Sequence, residues 1–90
     1  MTQRDLFGDP RENRRLEVQG ILHTTLRQLA RHYYDGRATI HIERVELGPA
    51  EQVTCCVWLN GRRVAVLNRS DVHAAARDLW EQVAPGGGTR

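Results

Sequence analysis

Ninety residues are enough for one domain around one modest core. Forty per cent of the chain is apolar and 27% is charged, an ordinary balance for a globular protein, and a net charge of +2 is too small to specify a nucleic-acid partner by itself. No apolar run reaches the length of a membrane span, and the N-terminus carries Arg4 without the apolar stretch of a secretion signal, so a cytoplasmic protein with no membrane partner is expected.

In chain order, residues 1–8 read as a flexible tail that ends in two large apolar residues, Leu6 and Phe7. A segment this short cannot bury that pair by itself. Asp9-Pro10-Arg11-Glu12 is a helix start, with Asp9 able to cap, Pro10 suited to the first helical position and Glu12 three residues past the cap. Leu22, Leu26, Leu29 and Tyr33 then fall on one stripe of a helix, and Val18 extends it by a turn. Gly20 weakens the middle and invites a kink or a late start. Asp35-Gly36 is a stop, with Gly36 suited to the left-handed position.

Ala38 to Leu47 alternates as a strand, with Ile40 and Ile42 on one face and Thr39, His41 and Glu43 on the other. Gly48-Pro49 breaks it. Val53 to Leu59 is the second strand, Asn60-Gly61 a type I′ turn, and Arg62 to Leu67 the third strand. The two-residue turn sets Leu59 opposite Arg62, Trp58 opposite Arg63, Val57 opposite Val64, Cys56 opposite Ala65 and Cys55 opposite Val66. One sheet face then carries Val53, Cys55, Val57, Leu59, Val64 and Val66 and is the core. Ser70 caps the last helix, whose stripe is Val72, Ala76, Leu79 and Val83, with Trp80 at its edge. Pro85 ends it, and residues 85–90 read as a disordered tail. The expected fold is a two-layer α+β domain over residues 9–84, a helix, a three-stranded antiparallel meander and a helix, with both helices on one face of the sheet.

Gln3-Arg4-Asp5-Leu6-Phe7 resembles the short peptide by which bacterial polymerases and repair proteins dock on the DNA sliding clamp. That motif is a glutamine, usually a leucine, a serine or aspartate, and then leucine-phenylalanine. Gln3, Asp5, Leu6 and Phe7 fit it, and Arg4 departs at the second place. The resemblance implies that Leu6 and Phe7 enter an apolar pocket of the clamp while Gln3 makes polar contacts beside it. The other reading of the same residues is that Leu6 and Phe7 staple the first helix or pack on the domain. The element order also resembles that of the double-stranded RNA-binding domain. However, Asp71 and Val72 stand where that family places its phosphate-binding lysines, and Glu51 stands where it has a loop histidine. The function is therefore not carried over.

All thirteen lysine-or-arginine positions hold arginine. A GC-rich coding bias accounts for this, and arginine also suits bidentate contact with carboxylate or phosphate. Arg62, Arg63 and Arg69 are expected near Trp58, with a cation–π pair between Trp58 and Arg63. They form either a nucleic-acid or partner contact or a self-satisfied surface. If the second sheet face is open, Trp58, Cys56, Ala65 and Leu67 make an apolar patch through which a homodimer can form.

Adjacent Cys55 and Cys56 point to opposite strand faces and read as packing residues of a reducing compartment. His23, His32, His41 and His73 are scattered, and no nucleophile, metal or phosphate motif is present, so no enzyme and no cofactor is expected. Three binding functions follow. The chain docks on the sliding clamp as a replication or repair accessory factor or an inhibitor; or it binds nucleic acid through the hairpin arginines; or it is a phage or mobile-element inhibitor of a host defence complex.

Overall fold

A computed structural model describes residues 10–35 and 37–83, with the side chain of Tyr33 left out. The candidate docking residues Gln3, Asp5, Leu6 and Phe7, the Asp9 cap, Gly36 and the C-terminal segment 85–90 lie outside the described residues. Helix α1 runs Pro10–Tyr34, strands β1, β2 and β3 run Ile40–Leu47, Val53–Leu59 and Arg62–Arg69, and helix α2 runs Val72–Val83. The strands form one antiparallel sheet in the order β1-β2-β3. This is the expected α+β helix–meander–helix, with both helices on the face that carries Val53, Cys55, Val57, Leu59, Val64 and Val66.

Helix α1 is continuous through Gly20, which is exposed and whose missing Cβ would meet no atom. Its buried residues are Val18, Leu22, Leu26 and Ala30, one every four positions, with Thr25 beside them. Four residues over-rotate a 3.6-residue turn by about 40°, so the stripe winds around the helix. The next step reaches Tyr34, whose hydroxyl donates to the carbonyl of Val83 at 2.6 Å. That carbonyl lies in the last turn of α2, where no helical partner exists. After Tyr34 the chain leaves the helix through Asp35, which takes a left-handed conformation at φ 57°.

Helix α2 starts one residue later than the sequence reading placed it. The carbonyl of Asp71 accepts the first helical bond from Ala75 N at 3.0 Å, and Asp71 Oδ1 accepts from His73 N at 2.9 Å. Asp71, and not Ser70, is therefore the cap, because β3 continues to Arg69 and the turn follows it. Trp80, expected at the edge of the stripe, is wholly buried. Its Nε1 donates to the carbonyl of Leu26 at 3.0 Å, which removes the cost of burying an indole N–H. Ala75 and Ala76 are also fully buried on this helix.

The hairpin register is the expected one at all five pairs, and Asn60 and Gly61 both have positive φ, 54° and 79°, as a type I′ turn requires. Asn60 also exchanges hydrogen bonds with Thr39: its N–H donates to Thr39 O at 3.0 Å and its Oδ1 accepts from Thr39 N at 3.1 Å. The turn is thereby tied to the chain entering β1.

Two bulges depart from simple alternation. In β1, Ile42 pairs with Val57 but Arg44 pairs with Cys56, so Glu43 is an extra residue. Glu43 and Arg44 both fall on the open side, and Val45 returns to the core. In β3, Leu67 and Asn68 together face Thr54, and Asn68 adopts φ 52°. Thr54 Oγ1 accepts from Asn68 N at 3.0 Å. This shift turns Arg69 toward the helices, where it meets Asp78 of α2 at 2.7 Å.

Candidate functional site

The open face of the sheet is built on the row His41, Trp58, Arg63 and the row Arg44, Cys56, Ala65. The β1 bulge drops Glu43 between them. Arg63 Nε donates to Glu43 Oε1 at 3.0 Å and Arg63 Nη2 to Oε2 at 3.2 Å, a two-point contact. Trp58 Nε1 donates to the same Oε1 at 2.9 Å, and Cys56 Sγ lies 3.8 Å from it. These donors hold the Glu43 carboxyl down at about 2, Arg63 first and Trp58 second. One carboxylate thus ties all three strands together on the solvent side.

The expected cluster of Trp58 with Arg62, Arg63 and Arg69 is not formed. Of these three arginines, Arg63 alone shares the open face with Trp58. Arg62 pairs with the core residue Leu59 and so lies on the helix side. Arg69 pairs with Val53 at the opposite end of the strand and is bound to Asp78. Neighbouring residues of a strand alternate faces, which separates Arg62 from Arg63, and the second bulge turns Arg69 away. The cation–π contact is also absent among the described residues: Glu43 takes the polar groups of both Arg63 and Trp58. The ring contact formed instead is Tyr34 with Trp80 in the core, at 5.2 Å between centroids.

The open face keeps some apolar surface, with Trp58 39% exposed and Leu67 71% exposed. Cys56, expected as part of that patch, is buried. Burial is the main reason its thiol is pushed up, and burial also pushes the Cys55 thiol to about 11. Neither is a thiolate near neutral pH, so neither is activated as a nucleophile. His73 Nδ1 lies 3.3 Å from the hydroxyl of Thr25 across the two helices. Among the described residues no three histidine, cysteine, aspartate or glutamate side chains are grouped to hold a metal ion, and no helix is long and apolar enough to cross a membrane.

A groove of about 720 Å³ separates the start of α1 from the β1–β2 turn. In that turn Glu51 N donates to Gly48 O at 2.9 Å and Glu51 takes φ 62°, a strained position for a residue with a Cβ. Its carboxylate accepts from Arg14 Nη2 at 3.1 Å, and Arg14 Nη1 also meets Glu17 at 3.1 Å. Arg15 binds Glu12 beside them. The sequence carried no motif for this contact. Its signal was the misplaced residue, a glutamate where a turn of this kind favours glycine or asparagine.

No protein family, curated protein or solved structure matches the chain.

Proposed function

We propose that the chain is a small non-catalytic binding protein that docks on the bacterial DNA sliding clamp through its N-terminal peptide, as an accessory factor in replication or repair or as an inhibitor of the clamp. The observation that supports this reading is the distance between the helix start and the core. Helix α1 begins at Pro10, yet its first buried residue is Val18. The eight residues before Val18 rise about 12 Å at 1.5 Å each. The buried core of the described residues is assembled from Val18 onward, across both helices and all three strands.

In this reading Leu6 and Phe7 are the anchors, each contributing about 1.5–3 kcal/mol on burial, and the cost of ordering the peptide offsets part of it. Gln3 sets orientation and Asp5 fills the acidic place of the motif. The expected result is a micromolar, readily reversed contact. Titration of purified clamp with the intact chain and with Leu6→Ala/Phe7→Ala tests it.

A second reading, contact with a protein partner through the open sheet face, is favoured by the exposure of Leu67 and Trp58. A homodimer is its simplest form. Sedimentation of the intact chain and of Leu67→Glu decides this: a dimer that becomes a monomer supports it, and a monomer in both cases removes it.

A further inference from the structure

We infer that a basic groove along the second half of α1 binds the phosphate groups of a nucleic-acid backbone. The groove holds about 510 Å³ and is lined by Thr24, Arg27, Gln28 and Arg31 of α1 together with Ala38 and Ile40 at the start of β1. These helix residues are spaced by three and four, so they share one side of the helix. The groove carries two guanidinium groups and two neutral hydrogen-bonding side chains, and among the described residues no carboxylate lines it.

The division of the arginines carries the inference. Arg14, Arg15, Arg44, Arg63 and Arg69 are each bound to a carboxylate. Arg27, Arg31, Arg37, Arg62 and Arg77 make no side-chain hydrogen bond or ion pair among the described residues. The first four gather at one end of the domain, and Arg77 stands on α2. Arg37 immediately precedes Ala38 of the groove lining. Arg62 pairs with Leu59, which pairs with Ile40 of the lining, and all three point to the helix side. Two strand spacings put the Cα of Arg62 about 10 Å from that of Ile40. Asp35, in the turn after α1, is a carboxylate at this end.

The larger groove at the other end offers a contrast within the same molecule. Its arginines 14 and 15 are already neutralised by Glu12, Glu17 and Glu51. A cation near the C-terminus of a helix gains from the helix dipole, which accounts for Arg31 alone. It does not account for Arg37 and Arg62, which lie outside the helix. Arginine presents a planar fork of donors that matches phosphate oxygens, and unpaired guanidinium groups converging on a groove are the charge complement of a polyanion. This places the basic contact on α1 and not on the Trp58 side of the hairpin, and it does not depend on the N-terminal peptide.

The test is a titration of the full chain with labelled single-stranded and duplex DNA and RNA oligonucleotides at about 50 and about 200 mM salt. The intact chain should bind at the lower salt and weaken steeply at the higher. Arg27→Glu/Arg31→Glu should weaken binding at least about tenfold and reduce the salt slope by about 1.4–1.8, the loss of two phosphate contacts. Both residues are exposed and unpaired, so the variant should keep its fold, which circular dichroism checks. Arg77→Glu, on α2, is the control for general charge and should have a smaller effect. No binding by the intact chain, an unchanged salt slope in the double variant, or an equal loss from Arg77→Glu would each overturn the inference. Clamp binding should be the same in the double variant and the intact chain, so this outcome and the docking outcome are read separately.

Discussion

The indole N–H of Trp80 donates to the main-chain carbonyl of Leu26 at 3.0 Å, in the middle of the core and between the two helices. Leu26 lies inside α1, so its carbonyl also has a place in the helical ladder and is not left unpaired if the indole is removed. Trp80→Phe should therefore cost only the hydrogen bond and a smaller ring, about 1–2 kcal/mol. Trp80→Ala should cost about 3–5 kcal/mol because it opens a cavity under both helices. Urea denaturation of the two variants checks the ordering, and equal losses would show that packing of the ring contributes nothing beyond the indole N–H.

Tyr34 makes a related contact at the helix ends, its hydroxyl donating to Val83 O at 2.6 Å. Tyr34→Phe leaves a carbonyl in the last turn of α2 without this donor. The expected loss is about 0.5–1.5 kcal/mol. Hydrogen exchange should show it as faster opening of the end of α2.

The Glu43 contact sets an acid limit. Its carboxyl titrates at about 2 in the folded chain, below its ordinary 4.5. A depressed carboxyl contributes stability that is complete above its unfolded value and is lost as pH falls through the folded one. The contribution should thus be present at neutral pH and disappear between about 4.5 and about 2. Glu43→Gln keeps an acceptor for Trp58 and loses the charge. Its stability deficit relative to the intact chain should shrink across that window, measured by denaturant unfolding at a series of pH values. A deficit that stays constant would mean the charge is not what matters.

Two backbone positions call for opposite substitutions. Gly20 sits exposed in the middle of α1 with open space where a Cβ would stand. Gly20→Ala should stabilise by about 0.5–1 kcal/mol. At Glu51, φ 62° is left-handed and the carboxylate holds Arg14. Glu51→Gly relieves strain of about 1 kcal/mol and loses an exposed ion pair worth about 0–1 kcal/mol, so stability should be unchanged or slightly raised. Arg14→Ala loses the pair and keeps the strain, and should only destabilise. Thermal unfolding of the three variants gives the comparison.

The fold was legible because its signals are local. The Asn60-Gly61 turn has one favoured geometry, and it carried the whole β2–β3 register with it. The stripes of α1 and α2 repeat at helical spacing. The candidate site was less legible because two bulges and one strained turn build it. The β1 bulge has a trace in the sequence: Ile40 and Ile42 keep one phase, while Val45 and Leu47 keep the other, so an extra residue must lie between them. That extra residue is Glu43, which gathers Trp58 and Arg63. The bulge at Asn68 has no such pattern, and without it Arg69 reads as a neighbour of Trp58. Trp80 reads as an edge residue because helix phase alone does not show that its N–H finds the carbonyl of Leu26.

Docking through the N-terminal peptide is open to direct measurement of clamp binding by titration calorimetry. The intact chain should bind purified bacterial sliding clamp at micromolar affinity. Leu6→Ala/Phe7→Ala should weaken it at least about tenfold, the equivalent of 1.4 kcal/mol, without changing the unfolding midpoint. No binding by the intact chain, or equal binding by the double variant, would contradict it.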